Sequence, residues 1–116
     1  MEKSYAELVE DAKAQVKLVT VDEVMEDSTG NPVLLDCREA SEWHMAHIPG
    51  AVLIPRAEIE AKVEDMIPRD RKVVIYCASG NRSALAASVM QGMGYTDVAS
   101  MTGGIRAWAD AGGPIE

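Results

Sequence analysis

Lys72-Val73-Val74-Ile75-Tyr76 is β-branched or aromatic after its first residue and runs without a break into Cys77-Ala78-Ser79-Gly80-Asn81-Arg82. Behind that polar turn, Ser83 opens the run Ala84-Leu85-Ala86-Ala87-Ser88-Val89-Met90, which is helical by propensity and stops at Gly92 and Gly94. A short strand with no polar position has no face to offer water, so it must be covered on both sides. An antiparallel sheet with one wet face is therefore disfavoured. The arrangement required is α/β, with a mainly parallel central sheet and helices on both faces.

The rest of the chain alternates in the same way. Ser4 and Glu7 form a capping box ahead of a polar helix to about Val16, and Thr20 and Glu23 repeat it before a short second helix with Val21 and Met25 on one face. Ser28-Thr29-Gly30-Asn31-Pro32 is a turn signal. Val33-Leu34-Leu35 predicts a strand ending at Asp36, and a short helix follows around Glu39 to Met45. His47-Ile48-Pro49-Gly50 predicts a turn, Ala51 to Ile54 a strand stopped by Pro55, and Ala57 to Met66 a helix closed by Pro68. Val98 to Met101 predicts a last strand and Gly104 to Ala111 a last helix. There are no repeats and no linker, and the 116 residues predict one domain, 1–116, with residues 1–18 as a helical extension on a core of 19–115.

Charge narrows the partners. A formal net charge of −8 disfavours nucleic acid, which requires a basic face. It still permits a small anionic substrate in a locally positive pocket. No stretch approaches the ~20 apolar residues of a membrane span, and the first residues lack an apolar signal core. Two cysteines make no disulfide framework and, with only His44 and His47 to assist, no recognisable metal site. The expectation is a cytoplasmic protein with no metal or cofactor.

In open parallel sheets, ligands bind beyond the carboxyl ends of the strands. Two polar breaks stand there: Asp36-Cys37-Arg38 and Cys77 through Ser83. A turn between strand and helix can curl its N–H groups into an anion nest, and the helix terminus adds positive potential. Gly80 supplies the required backbone freedom, Ser79 and Ser83 add hydroxyl donors, and Arg82 adds a forked cation. A cysteine in that field loses its proton below the ordinary value of ~8.5, and the thiolate is the nucleophile. Cys77 is the candidate catalytic residue, with Ala78, Ser79, Gly80, Asn81, Arg82 and Ser83 as the candidate binding loop.

Cys77-x-x-Gly80-x-Arg82-Ser83 resembles the active-site loop of the single-domain rhodaneses, the thiosulfate sulfurtransferases. Leu34-Leu35-Asp36-Cys37-Arg38-Glu39, His47-Ile48-Pro49-Gly50-Ala51, and Gly94-Tyr95 through Gly103-Gly104-Ile105-x-Ala107-Trp108 resemble three more motifs of that family in the same order. The likeness extends from about Val19 to Ile115. It implies a three-layer fold and a double displacement. Cys77 takes the outer sulfur of thiosulfate or a similar donor as a persulfide, sulfite leaves, and cyanide or a thiol receives the sulfur. The loop is C-x4-R, one residue shorter than the C-x5-R of cysteine phosphatases, and in the family the shorter ring goes with sulfur. A persulfide carrier that docks on a sulfur-relay partner is the alternative to an enzyme, and an inactive scaffold is a third reading against which the intact Cys77 argues.

Cys37 stands where the family more often has valine. It is expected to be a small buried residue beneath the loop, with a resolving thiol as the alternative. Asp36 and Arg38 are expected to pair with each other and buttress the loop rather than touch substrate. His47 is expected to fix its Pro-Gly turn, and Trp108 to lie in the core.

Overall fold

The computed structural model describes residues 2–27 and 31–116, so Ser28, Thr29 and Gly30 of the expected turn lie outside the described residues. The elements are α1 (Tyr5–Gln15), β1 (Lys17–Val19), α2 (Val21–Glu26), β2 (Val33–Asp36), α3 (Ala40–Met45), β3 (Val52–Leu53), α4 (Ile59–Met66), β4 (Val73–Tyr76), α5 (Asn81–Gly92), β5 (Val98–Met101) and α6 (Gly104–Asp110). Both capping boxes form. The Glu7 and Glu23 amides donate to Ser4 Oγ and Thr20 Oγ1 at 3.2 and 3.1 Å, which answers donors that a helix start otherwise leaves open. On α2 it is Val24, not Met25, that packs inward beside Val21, and Met25 is exposed.

The five strands stand in the order β1-β5-β4-β2-β3, and every neighbouring pair is parallel. β4 is therefore central, as its unbroken burial requires. Alternate residues serve opposite faces. Leu35, Val73, Ile75 and Val98 pack with α4 and α5 residues such as Ile59, Val63, Ala87 and Met90. Val74, Tyr76, Ala99 and Met101 pack on the other side with Val21 of α2 and Trp108 of α6. Helices thus cover both faces, the layering that an all-apolar central strand demands.

Two elements depart from expectation. Lys17–Val19 is an edge strand on β5, a role its sequence conceals because only Val19 is buried. α5 begins at Asn81, two residues before the expected Ser83.

Candidate active site

Cys77 is the first residue past central strand β4, and the Cys77 loop lies between that strand end and α5. Gly80, the residue before the helix, holds φ at +108°, a left-handed conformation that L side chains rarely adopt. That turn folds the chain back over the sulfur. Gly80 N donates to Cys77 Sγ at 3.1 Å and Ser83 N donates at 3.4 Å. The N-cap residue of α5 is Gly80, which has no side chain, so the Cys77 sulfur takes the place a Ser or Asp would normally fill. This is why the helix starts earlier than its sequence suggests.

A hydroxyl pair supports the sulfur from the side. Ser83 Oγ lies 3.5 Å from Cys77 Sγ and 2.7 Å from Ser100 Oγ of β5, both serines being buried. With Cys77 ionised, Ser83 donates to sulfur and accepts from Ser100. Ser100 was not a sequence candidate, and its only signal was a lone hydroxyl inside an apolar strand.

From below, the loop is held by α6. Ile105 N donates to the Cys77 carbonyl at 2.9 Å and Arg106 N to the Ala78 carbonyl at 3.3 Å. Gly104 permits this approach. A Cβ there would fall 2.3 Å from Cys77 O and 2.6 Å from Ala78 C.

The electrostatics follow from these contacts. The Cys77 thiol sits well below its ordinary range, held there first by a hydrogen bond from the Cys37 thiol, then by the Ser83 hydroxyl and the Ser83 and Gly80 amides, against the opposing effect of burial. Cys37 moves the other way, raised by its bond to Cys77 and by burial. One sulfur of the pair is thus a thiolate and the other a thiol. We expect the ultraviolet absorbance of a thiolate to persist as pH falls from neutral through the ordinary cysteine range and well into acid, and to be lost in Cys77→Ser. A titration midpoint near the ordinary ~8.5 would contradict the hydrogen-bonding pattern described here.

Arg82 differs from expectation. Its fork is not open: Nη1 and Nη2 donate to Glu42 Oε1 and Oε2 of α3 at 2.7 and 3.0 Å. The pair is half-buried, and it holds the Glu42 carboxyl down at about 2. Glu42 lies 40 residues from Arg82 and had no sequence signal beyond its charge. Exposed Ser79 and Asn81 form the outer rim of the loop. Beside it a cavity of about 70 Å³ is lined by Ser79, Gly80, Ser100 and Thr102, with Lys13 of α1 contributing a cation.

Asp36 and Arg38 pair as expected. Arg38 Nε and Nη2 donate to Asp36 Oδ1 and Oδ2 at 3.0 and 2.8 Å, and Nη2 also donates to Ala46 O at 2.7 Å. Arg38 lies over the Tyr76 ring, and the Tyr76 hydroxyl accepts from Ile48 N at 3.1 Å. The pair ties the end of β2 to the segment after α3. A buried pair removed by halves leaves an uncompensated charge. His47 bonds the Trp43 carbonyl through Nδ1 at 3.0 Å and stacks on Trp43, so it fastens the end of α3 rather than the Pro-Gly turn. Trp108 is buried, its Nε1 donating to Pro114 O.

Known proteins resemble this chain in sequence and in fold. The chain is 41% identical over 87 residues to a sulfurtransferase of Allochromatium vinosum, across 75% of this chain and 80% of that protein. It is 40% identical over 84 residues to a probable adenylyltransferase/sulfurtransferase of Mycobacterium tuberculosis, across 72% of this chain but only 21% of that longer protein. A solved structure from Rhodopseudomonas palustris, described as a protein of unknown function and possible tyrosine phosphatase, superposes with a TM-score of 0.88 at 32% identity, covering 100% of this chain and 96% of that one. The family model described as rhodanese-like domain matches residues 20–111, and the chain belongs to that family.

Proposed function

We propose that this protein is a sulfurtransferase that carries sulfane sulfur as a persulfide on Cys77, taking it from thiosulfate or a similar small anionic donor and passing it to cyanide or a thiol. The observation that carries the reading is the capping of α5 by the Cys77 sulfur through the Gly80 and Ser83 amides. Those donors hold a thiolate at neutral pH, and they suit a persulfide anion equally well because they are preorganised. The thiolate attacks the outer sulfur of thiosulfate, the S–S bond breaks, and sulfite leaves with the bonding pair. The acceptor then attacks that same outer sulfur and Cys77 returns as thiolate. The reaction suits the reducing cytoplasm, where the thiolate persists. A sulfur-relay partner protein is a further donor or acceptor, in keeping with a relative described as a putative sulfur carrier protein.

Four residues separate Cys77 from Arg82, and the two loop amides converge on a single sulfur atom. A phosphoryl group presents three oxygens and needs a wider ring. Sulfite release from thiosulfate with thiocyanate formation, set beside aryl phosphate hydrolysis, tests the choice. Phosphate release that vanishes in Cys77→Ser, without sulfur transfer, would replace this reading with the phosphatase one.

Arg82 receives the departing sulfite end of the donor by exchanging Glu42 for it. Arg82→Ala is expected to lower kcat/KM for thiosulfate about ten- to hundredfold, the loss of a charged hydrogen bond of about 1.5–3 kcal/mol. Glu42→Gln is expected to lower KM for thiosulfate, because a competing carboxylate no longer holds the fork. The thiolate absorbance should titrate as in wild type in both. If Arg82→Ala moves that titration as far as it moves turnover, the arginine serves the thiolate and not the donor.

A further inference from the structure

Cys37 is a buried thiol that takes no covalent part in the transfer reaction. β2 and β4 pair in parallel with Leu35 opposite Ile75 and Asp36 opposite Tyr76. The next residue on each strand is a cysteine, and Cys37 N still donates to Tyr76 O at 3.0 Å, so the pairing continues to the loop. Leu35, Cys37, Ile75 and Cys77 all belong to one core cluster, which places both thiols on the same face of the sheet. Neighbouring strands lie ~4.8 Å apart, within the ~4.4–6.8 Å Cα separation that a disulfide spans. Both cysteines are free and buried, and strand register sets them side by side.

We propose that Cys37 is a resolving thiol that converts the Cys77 persulfide into a Cys37–Cys77 disulfide and releases hydrosulfide. The inference rests on the persulfide reading above. Cys37 sulfur attacks Cys77 Sγ, which strand register places beside it, whereas external acceptors take the outer sulfur. The bond between Sγ and the outer sulfur breaks, and its electron pair leaves with the outer sulfur. The Cys37 proton goes to that sulfur, so Cys77–S–S⁻ and Cys37–SH become the disulfide and HS⁻. The outer sulfur is reduced, the Cys37 sulfur is oxidised, Cys77 Sγ keeps the level it had in the persulfide, and no further oxidant enters. An external dithiol resets the pair, which gives the protein a second activity: reductive release of sulfide from a sulfane donor.

In the resting protein Cys37 is held protonated by the adjacent thiolate. Loading moves the negative charge one sulfur outward and relieves that constraint. The burial that protects Cys37 from solution also leaves Cys77 as its natural partner.

The test treats the anaerobic protein with one equivalent of thiosulfate and no acceptor, then follows sulfite, hydrosulfide and intact mass. We expect wild type to release sulfite and then hydrosulfide, and to become lighter by two hydrogens through a disulfide that peptide mapping places between Cys37 and Cys77. Cys37→Ser and Cys37→Ala are expected to stop one sulfur heavier, with hydrosulfide release lost. A wild type that releases sulfite, stays one sulfur heavier and yields no hydrosulfide overturns the inference and leaves the transferase reading standing. Absence of sulfite removes the thiosulfate reading, and the resolving role is then decided by dipyridyl disulfide, which loads Cys77 as a mixed disulfide. Two equivalents of pyridinethione from wild type and one from Cys37→Ser support resolution, and one from wild type overturns it.

Discussion

Cys77→Ser is expected to abolish sulfur transfer while leaving the fold in place. A serine hydroxyl at this position still accepts from the Gly80 and Ser83 amides, so the turn into α5 keeps its cap. It cannot form a persulfide, and its oxygen stays protonated where sulfur would be ionised. The bonds that the thiolate accepts lose their charge assistance and become neutral, so the stability change should stay near ~1 kcal/mol. Sulfite release under saturating thiosulfate, measured beside thermal unfolding, separates the two effects. Residual turnover above about a tenth of wild type would remove Cys77 from the covalent role.

The second large effect is expected from Gly104→Ala, which adds one carbon that touches no substrate. That carbon meets only backbone: Cys77 O at 2.3 Å, Ala78 C at 2.6 Å and Ala78 O at 2.7 Å. No flexible side chain is available to yield. Either α6 withdraws and the Ile105 bond to the Cys77 carbonyl is lost, or the loop shifts and the sulfur leaves its amides. Gly104 also has φ of +59°, which adds about 1–3 kcal/mol of strain for a residue with a Cβ. We expect a lower unfolding temperature and a fall in kcat/KM of about a hundredfold, the scale of a misplaced reacting group. A variant that loses stability yet keeps wild-type kinetics would show that the α6 clamp supports the fold without aiming the sulfur.

The fold was legible wherever a whole element shares one environment. Val73 to Tyr76 is buried at every position, so composition alone marked the central strand. Lys17–Val19 was not legible, because a three-residue edge strand with one buried side chain carries almost no pattern. Cys77, its loop and the Asp36–Arg38 pair are local in sequence and could be read there. The rest of the site was not legible because its contacts are distant in sequence. Glu42 reaches Arg82 across 40 residues, Ser100 reaches Ser83 across 17, and Cys37 meets Cys77 only through sheet register. The start of α5 was misjudged for a related reason. Helix propensity takes no account of a sulfur acting as a cap, and Asn81 and Arg82 were assigned to the loop that the cap draws into the helix.

The α6 clamp has a consequence for folding. The donors to Cys77 come from the loop and α5, the carbonyl behind the sulfur is anchored by Ile105, and the neighbouring thiol of Cys37 follows β2. Segments from Cys37 to Ile105 must be assembled before the sulfur sheds its proton, and in an unfolded chain Cys77 is an ordinary thiol. At mildly acidic pH only native molecules would therefore carry the thiolate band. That band is a built-in probe of global folding: its decay in urea should coincide with loss of helical circular dichroism, and an earlier decay would reveal local opening of the loop.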